Sequence, residues 1–160
     1  MRLYNRLYSY IKKKHLEKAM AIFAKIDMKT VYDIITKNCW EYGIQYILLM
    51  KTPFVLEVGI IGRRDRVLIK FHKTQKVYSY DMISFREFFL ASDYTRAYYI
   101  TTGSFHKEHK EGSWNLSFLG RRQVKTISSK DFLIRQEWMT QPYYSHFKYK
   151  KLDFYPYLPY

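Results

Sequence analysis

Arg63, Arg64, Arg66, Lys70, His72, Lys73 and Lys76 crowd into one short stretch. Cations at this density raise the local positive potential and attract phosphates. Aromatic residues are plentiful as well, with 17 Tyr, 11 Phe and 3 Trp. Aromatics interleaved with Lys and Arg can stack on bases while the cations hold the backbone, although core packing is their commoner use. His106 and His109 stand three apart and could share a metal on a helix. No metalloprotease glutamate surrounds them, and with Lys107 and Lys110 adjacent a solvated face is the expected role. The chain contains no phosphate-binding Gly-Lys loop, no Gly-rich dinucleotide turn and no nucleophile elbow. Cys39 is the single cysteine, which excludes an internal disulfide and a cysteine-based zinc site.

The elements that must position these residues follow from hydrophobic spacing. Leu3, Leu7, Tyr10 and Ile11 predict an opening helix whose remaining positions carry Arg2, Arg6 and Lys12 to Lys14. Val31, Ile34, Ile35, Cys39 and Tyr42 predict a second helix stopping at Gly43, and residues 19–26 either prolong the first or form a short helix. The period then changes: residues 44–49 predict a strand, and 54–61 and 67–71 predict a hairpin around Gly62-Arg63-Arg64-Asp65. A helix over 79–91, N-capped by Ser79, should bury Met82, Ile83, Phe85, Phe88 and Phe89. Residues 97–100 predict a strand ending at Thr101-Thr102-Gly103, and a charged helix is expected from Ser104. Residues 124–127 predict a last strand and 129–134 a closing helix. The stretch 138–160, with most of the prolines and many tyrosines, predicts an extended aromatic tail that includes Tyr143, Tyr144, Lys148, Tyr149, Lys150 and Lys151. A single domain over 1–137 results, with N-terminal helices in 1–43 and a core in 44–137.

Size and charge bound the function. A chain of 160 residues, 48% hydrophobic, has the size and composition of one domain with a packed core. Lys and Arg number 28 against 14 acids, a net charge of +14 that draws polyanions. No stretch is apolar for long enough to span a bilayer, and the first residues lack a secretory signal's apolar middle. A cytoplasmic or nucleoid-associated protein is expected, with an organellar matrix the other compatible place.

Several phrases, in this order, resemble the Mrr-type branch of the PD-(D/E)xK nuclease superfamily. Lys76-Val77-Tyr78-Ser79 through Phe88 is similar to the family's central helix and its lead-in, and Tyr98-Tyr99-Ile100-Thr101-Thr102-Gly103-Ser104-Phe105 to the strand and TTG turn that follow it. Val124 to Ile127 with Lys130-Asp131-Phe132-Leu133 resembles the closing phrase. The likeness spans residues 30–134 and implies an α/β fold: a restriction endonuclease-like mixed β-sheet flanked by helices, here with a basic N-terminal helix and the Tyr/Pro-rich tail.

The resemblance also implies where a catalytic site should be. Nucleases of this kind hold Mg²⁺ with acids on two hairpin strands, because the ion is hard and prefers oxygen. A neighbouring lysine stabilises the charge that builds on phosphate. Gly59 stands where the first acid belongs, Lys70 at the Gln or Glu, His72 at the lysine, and the helix glutamate falls near Tyr32 and Asp33. The implied protein is a catalytically degenerate nuclease domain that binds nucleic acid, DNA by preference, without a cofactor. Its binding residues would be Arg63, Arg64, Arg66, Lys70, His72, Lys73 and Lys76, joined by Thr101, Thr102 and Ser104 of the turn. One alternative is an active Mg²⁺-dependent endonuclease with a relocated site of Glu57, Asp33, Lys70 and His72. Against it, Glu57 reads more simply as an ion-pair partner for the nearby cations. The other alternative is an interaction module that meets a protein partner or a second copy through the tail.

Overall fold

Leu16, Ala19 and Phe23 recur at the spacing that aligns side chains on one helical face, and all three are buried along α1 (Lys13–Phe23). Residues 7, 10, 13–106, 113–114, 122–136 and 152–159 are those described by this computed structural model. Leu7 and Tyr10, expected to anchor the opening helix, are both exposed, and among the described residues the first buried position is Leu16. After Phe23 the chain turns, and Asp27 caps α2 (Met28–Glu41) by accepting a 2.7 Å hydrogen bond from the Thr30 N–H. α2 buries Met28, Val31, Ile35 and Cys39, and it stops at Gly43, whose φ of 63° is a left-handed conformation that glycine adopts without strain. Burial pushes the Cys39 thiol up to about 11, so it stays protonated and serves as core.

Beyond Gly43 the period becomes two. β1 (Gln45–Lys51), β2 (Val55–Ile61) and β3 (Arg66–His72) form an antiparallel meander. The predicted turn closes the hairpin, with the Gly62 N–H donating to the Asp65 carbonyl at 2.9 Å. A short strand β4 (Lys76–Val77) precedes α3 (Ser79–Ala91), and β5 (Arg96–Thr101) returns parallel to β3. The N-cap of α3 is Tyr78 rather than Ser79, and the Asp81 carboxylate accepts its N–H at 3.0 Å. Ser104 and Phe105 form β6, which pairs with β4 in a second, two-stranded sheet. The helix expected to start at Ser104 is therefore a strand at that point, because Ser104 and Phe105 lie alongside Lys76 and Val77. Residues 107–111 of that expectation fall outside the described residues. β7 (Ser113–Trp114), β8 (Gln123–Ile127) and α4 (Ser129–Ile134) follow, with a 3₁₀ turn at Tyr155–Tyr157 after them, and the main sheet runs β1-β2-β3-β5-β8-β7.

Alternation along the strands gives this mixed sheet two packed faces. Leu56, Val58, Ile60, Ile69, Phe71, Tyr98 and Ile100 meet α1, α2 and α4 on one side. On the other, Leu68, Ala97, Tyr99 and Val124 meet Met82, Phe85 and Phe89 of α3. Ile83 and Phe88, expected on that same helix face, point outward. β1 is an edge strand with Ile47 to Met50 exposed. A register shift between Leu48 and Met50, with Pro53 just beyond, breaks the regularity that edge-to-edge pairing needs. No helix among the described residues is long and apolar enough to cross a membrane.

The expected extended tail does not hold for its last described stretch. Leu152, Phe154, Tyr157 and Leu158 are buried in the layer of α1, α2 and α4. The Phe154 ring lies 5.3 Å from Phe132, and Tyr157 lies 5.1 Å from Tyr98. Asn38 Oδ1 accepts the Phe154 N–H at 2.8 Å, and Gln136 Oε1 accepts that of Asp153 at 2.9 Å. A Cβ at Gly62 would stand 2.6 Å from Pro159, so this glycine admits the returning chain. Large rings bury more apolar area than most side chains, which suits a Tyr/Phe/Pro phrase to a core as well as to a surface. Residues 138–151 lie outside the described residues. Phe154→Ala is expected to lower the unfolding free energy by about 3–5 kcal/mol, read by urea denaturation. A loss of a few tenths would mean that this stretch is peripheral.

Candidate functional site

Cross-strand register brings the implied catalytic positions into one row. Glu57 on β2 pairs in register with Lys70 on β3, and Lys70 with Tyr99 on β5. All three side chains lie on the α3 side of the sheet. Lys70 Nζ stands 3.1 Å from Glu57 Oε1, with the two side chains only 12% and 13% exposed. The ammonium also lies over the rings of Tyr99 and Phe85, at 5.3 and 5.8 Å from their centroids. His72, one pleat further along β3, shares a 2.6 Å hydrogen bond between Nδ1 and the Tyr99 hydroxyl. Burial holds His72 below the usual histidine value, Lys70 acts in the same direction, and Asp81 opposes them. Burial likewise raises Tyr99 far above an ordinary phenol, helped by Asp81, Glu57 and Tyr80, so it stays protonated. The row joins an ion pair, Glu57–Lys70, to a phenol–imidazole hydrogen bond, Tyr99–His72, through the ring of Tyr99.

This network does not suit Mg²⁺. Its only carboxylate already answers Lys70, and among the described residues no three His, Cys, Asp or Glu side chains converge on one point. Asp33 does not join Glu57. It is exposed on α2, whose apolar face packs with Leu56, Val58 and Ile60, whereas Glu57 alternates to the opposite face of the same strand. The relocated set of Glu57 and Asp33 is thus divided by the sheet itself. Gly59 has a physical reason to lack a side chain, since a Cβ there would lie 1.9 Å from the Tyr94 hydroxyl. Tyr94 fills the space an acid would need. Tyr94 is held in turn by Arg122, whose guanidinium donates to the Tyr94 carbonyl at 3.0 Å, to the Leu90 carbonyl at 3.3 Å and to that of Phe89.

The expected binding residues separate into two ends of the sheet. Arg63, Arg64 and Arg66 lie at the amino end of β3, and His72, Lys73 and Lys76 at or beyond its carboxyl end, about 20 Å away by strand rise. Arg63 and Arg64 are exposed, and Arg66 is ion-paired with Asp93. Lys70 belongs to the interior pair rather than to the surface. Thr101 and Thr102 are buried and both donate to the Thr74 carbonyl, at 3.5 and 3.3 Å. Gly103 lies against the backbone of Thr74 and Gln75, where a Cβ would come within 2.2 Å of the Gln75 carbonyl oxygen. The Thr-Thr-Gly turn is therefore a clamp that holds the β3–β4 loop, and its hydroxyls are not offered to a ligand. Ser104, Lys76 and Lys130 are exposed at this carboxyl end, and Lys73 is half-buried there.

Tyr99, Tyr94 and Arg122 were not among the candidates from sequence. Tyr99 becomes part of the row only through the parallel β3–β5 register, which local spacing does not reveal. His109, Lys12 and Lys148 to Lys151 lie outside the described residues, while Lys13 and Lys14 are exposed. Compared with family models, curated proteins and solved structures, the chain matches none.

Breaking a largely buried ion pair from one side leaves a charge without its partner. Glu57→Gln and Lys70→Met should each cost about 3–5 kcal/mol, with the double variant losing clearly less than the sum; additive losses in urea denaturation would contradict the pairing. His72 gives a separate, pH-dependent outcome. Its depressed native value means that neutral His72 favours the folded state fully above the ordinary 6.5, and that this contribution is lost as pH falls through the native value. Melting temperatures from about pH 8 to about pH 5 should show an acid-side loss in the native chain that His72→Gln lacks. Parallel curves would refute it.

Proposed function

We propose that this chain is a nucleic-acid-binding domain of the Mrr-like nuclease type that has lost the cutting chemistry and binds without cleaving. The observation that carries this reading is the fate of the hairpin. The place of the first acid is a glycine packed under Tyr94, and the place of the second is a lysine neutralised by Glu57. Element order supports the family part: a helix, a three-stranded meander, a helix over one face, a parallel strand with its TTG turn, and a further parallel strand. Charge supports the ligand, because +14 on 160 residues attracts a polyanion.

The carboxyl ends of β3, β5 and β8 lie together, and ligands of open α/β sheets bind outside such ends. Lys73, Lys76, Ser104 and Lys130 stand there, so this end is the proposed contact surface. With no base-reading pattern in the sequence, contacts to phosphate dominate and binding is independent of sequence. The DNA preference rests on the family likeness.

Anisotropy of labelled DNA across a salt series tests the reading. Binding should weaken steeply with salt, and Lys73→Ala/Lys76→Ala should lower the slope by about 0.9 for each duplex phosphate that is no longer neutralised. Arg63→Ala/Arg64→Ala, at the far end, should change it less. Incubation with Mg²⁺ or Mn²⁺ should leave the DNA uncut. Absence of binding at low salt, or metal-dependent cleavage that Glu57→Ala abolishes, would refute the proposal.

A further inference from the structure

The two-stranded ribbon of β4 and β6 has an outward face that the polar network does not use. Lys76 pairs in register with Ser104, and both are exposed, while Val77 and Phe105 point into the core. Two residues further along each chain, alternation returns the outward side to Tyr78 and His106. Their ring centroids are 5.6 Å apart. The ring of Tyr80 then stacks beside Tyr78 at 5.9 Å, with the two planes only 11° apart. His106, Tyr78 and Tyr80 make one row of rings, ending in a phenol 68% exposed and next to one 42% exposed.

Two near-parallel tyrosines that leave this much of their surface exposed do not serve a core. The flat face of Tyr80 has the shape of a base, and Lys76 stands beside the row with no ion pair among the described residues. The Asp81 carboxylate, in the first turn of α3, accepts the Tyr78 backbone N–H at 3.0 Å. A flat π-surface beside an exposed cation suits a ligand that presents π-faces and phosphates together. In duplex DNA the base faces are already stacked on one another, and only unpaired nucleotides leave them free. We infer that the row of His106, Tyr78 and Tyr80 is a stacking platform for unpaired bases, and that the ligand of this domain is single-stranded nucleic acid. The inference rests on the nucleic-acid-binding reading above and narrows it.

The test is anisotropy with a labelled single-stranded oligodeoxynucleotide and with the corresponding duplex, on the full chain. Native protein should bind the single strand more tightly. Tyr80→Ala should weaken single-strand binding by about tenfold or more and leave duplex binding unchanged, while Tyr80→Phe, which keeps the ring, should bind as the native chain does. An exposed ring is dispensable to the fold, so equal melting temperatures should accompany the loss. If both ligands bind and Tyr80→Ala and Tyr78→Ala/Tyr80→Ala alter neither affinity, the platform is refuted and the broader reading survives. If neither ligand binds at low salt, both are refuted.

Discussion

A lysine and a glutamate largely shielded between a helix and a sheet are better paired than apart, since an isolated charge in such a layer is more costly than a paired one. Lys70 and Glu57 meet this constraint across adjacent strands, and the surrounding layer is arranged around them. Phe85 and Tyr99 present ring faces to the ammonium, and the Tyr99 phenol reaches on to His72. The hairpin register sets that pairing, so a slip of β3 by one residue would turn Lys70 to the opposite face, into the layer of Leu56 and Val58, and leave Glu57 without it. The same pairing uses the only carboxylate in the row.

Gly59 and Tyr94 extend this logic. A strand glycine often marks a close approach of something else, and here the phenol of Tyr94 comes in from the turn after α3. Arg122 holds that turn by donating to several of its carbonyls and packing its guanidinium 4.4 Å from the Phe89 centroid. The central helix, its C-terminal turn and the filled hairpin are thus mechanically linked. The interior of this layer is occupied, and at its rim the Thr-Thr-Gly clamp of the β3–β4 loop meets the start of α4 through the Ser129 N–H and the Gly103 carbonyl at 3.0 Å.

On the other face, the returning segment at 152–159 gives the sheet its second layer of aromatic packing. Phe154 and Tyr157 sit among Phe71, Phe132 and Tyr98, and Phe23 stacks on Phe132 at 5.2 Å. Much of the chain's high aromatic content is therefore core. Other rings stay outside: Tyr10, Trp40, Tyr42, Phe54 and Phe88 are exposed, as are Tyr78 and Tyr80 on the outward side of the β4–β6 ribbon.

Local patterning alone determined the element types: α2 and its stop at Gly43, the hairpin around Gly62, α3, β5, β8 and α4 follow from periods of 3.6 and 2 with their turn residues. It also determined the basic character, and the pairing of Glu57 with a nearby cation was legible from alternation. Tertiary structure decided the rest, for reasons of sequence separation. Asp33 and Glu57 look combinable until the sheet separates their faces, and Arg63 and His72 look adjacent until strand rise places them at opposite ends. Thr101 and Thr102 look available until the Thr74 carbonyl takes their hydroxyls. Phe154 looks like a tail until Asn38, far back in the chain, accepts its N–H. Spacing along a chain reports which way a side chain points within its own element, whereas what that side chain meets depends on register between elements, which long-range packing sets.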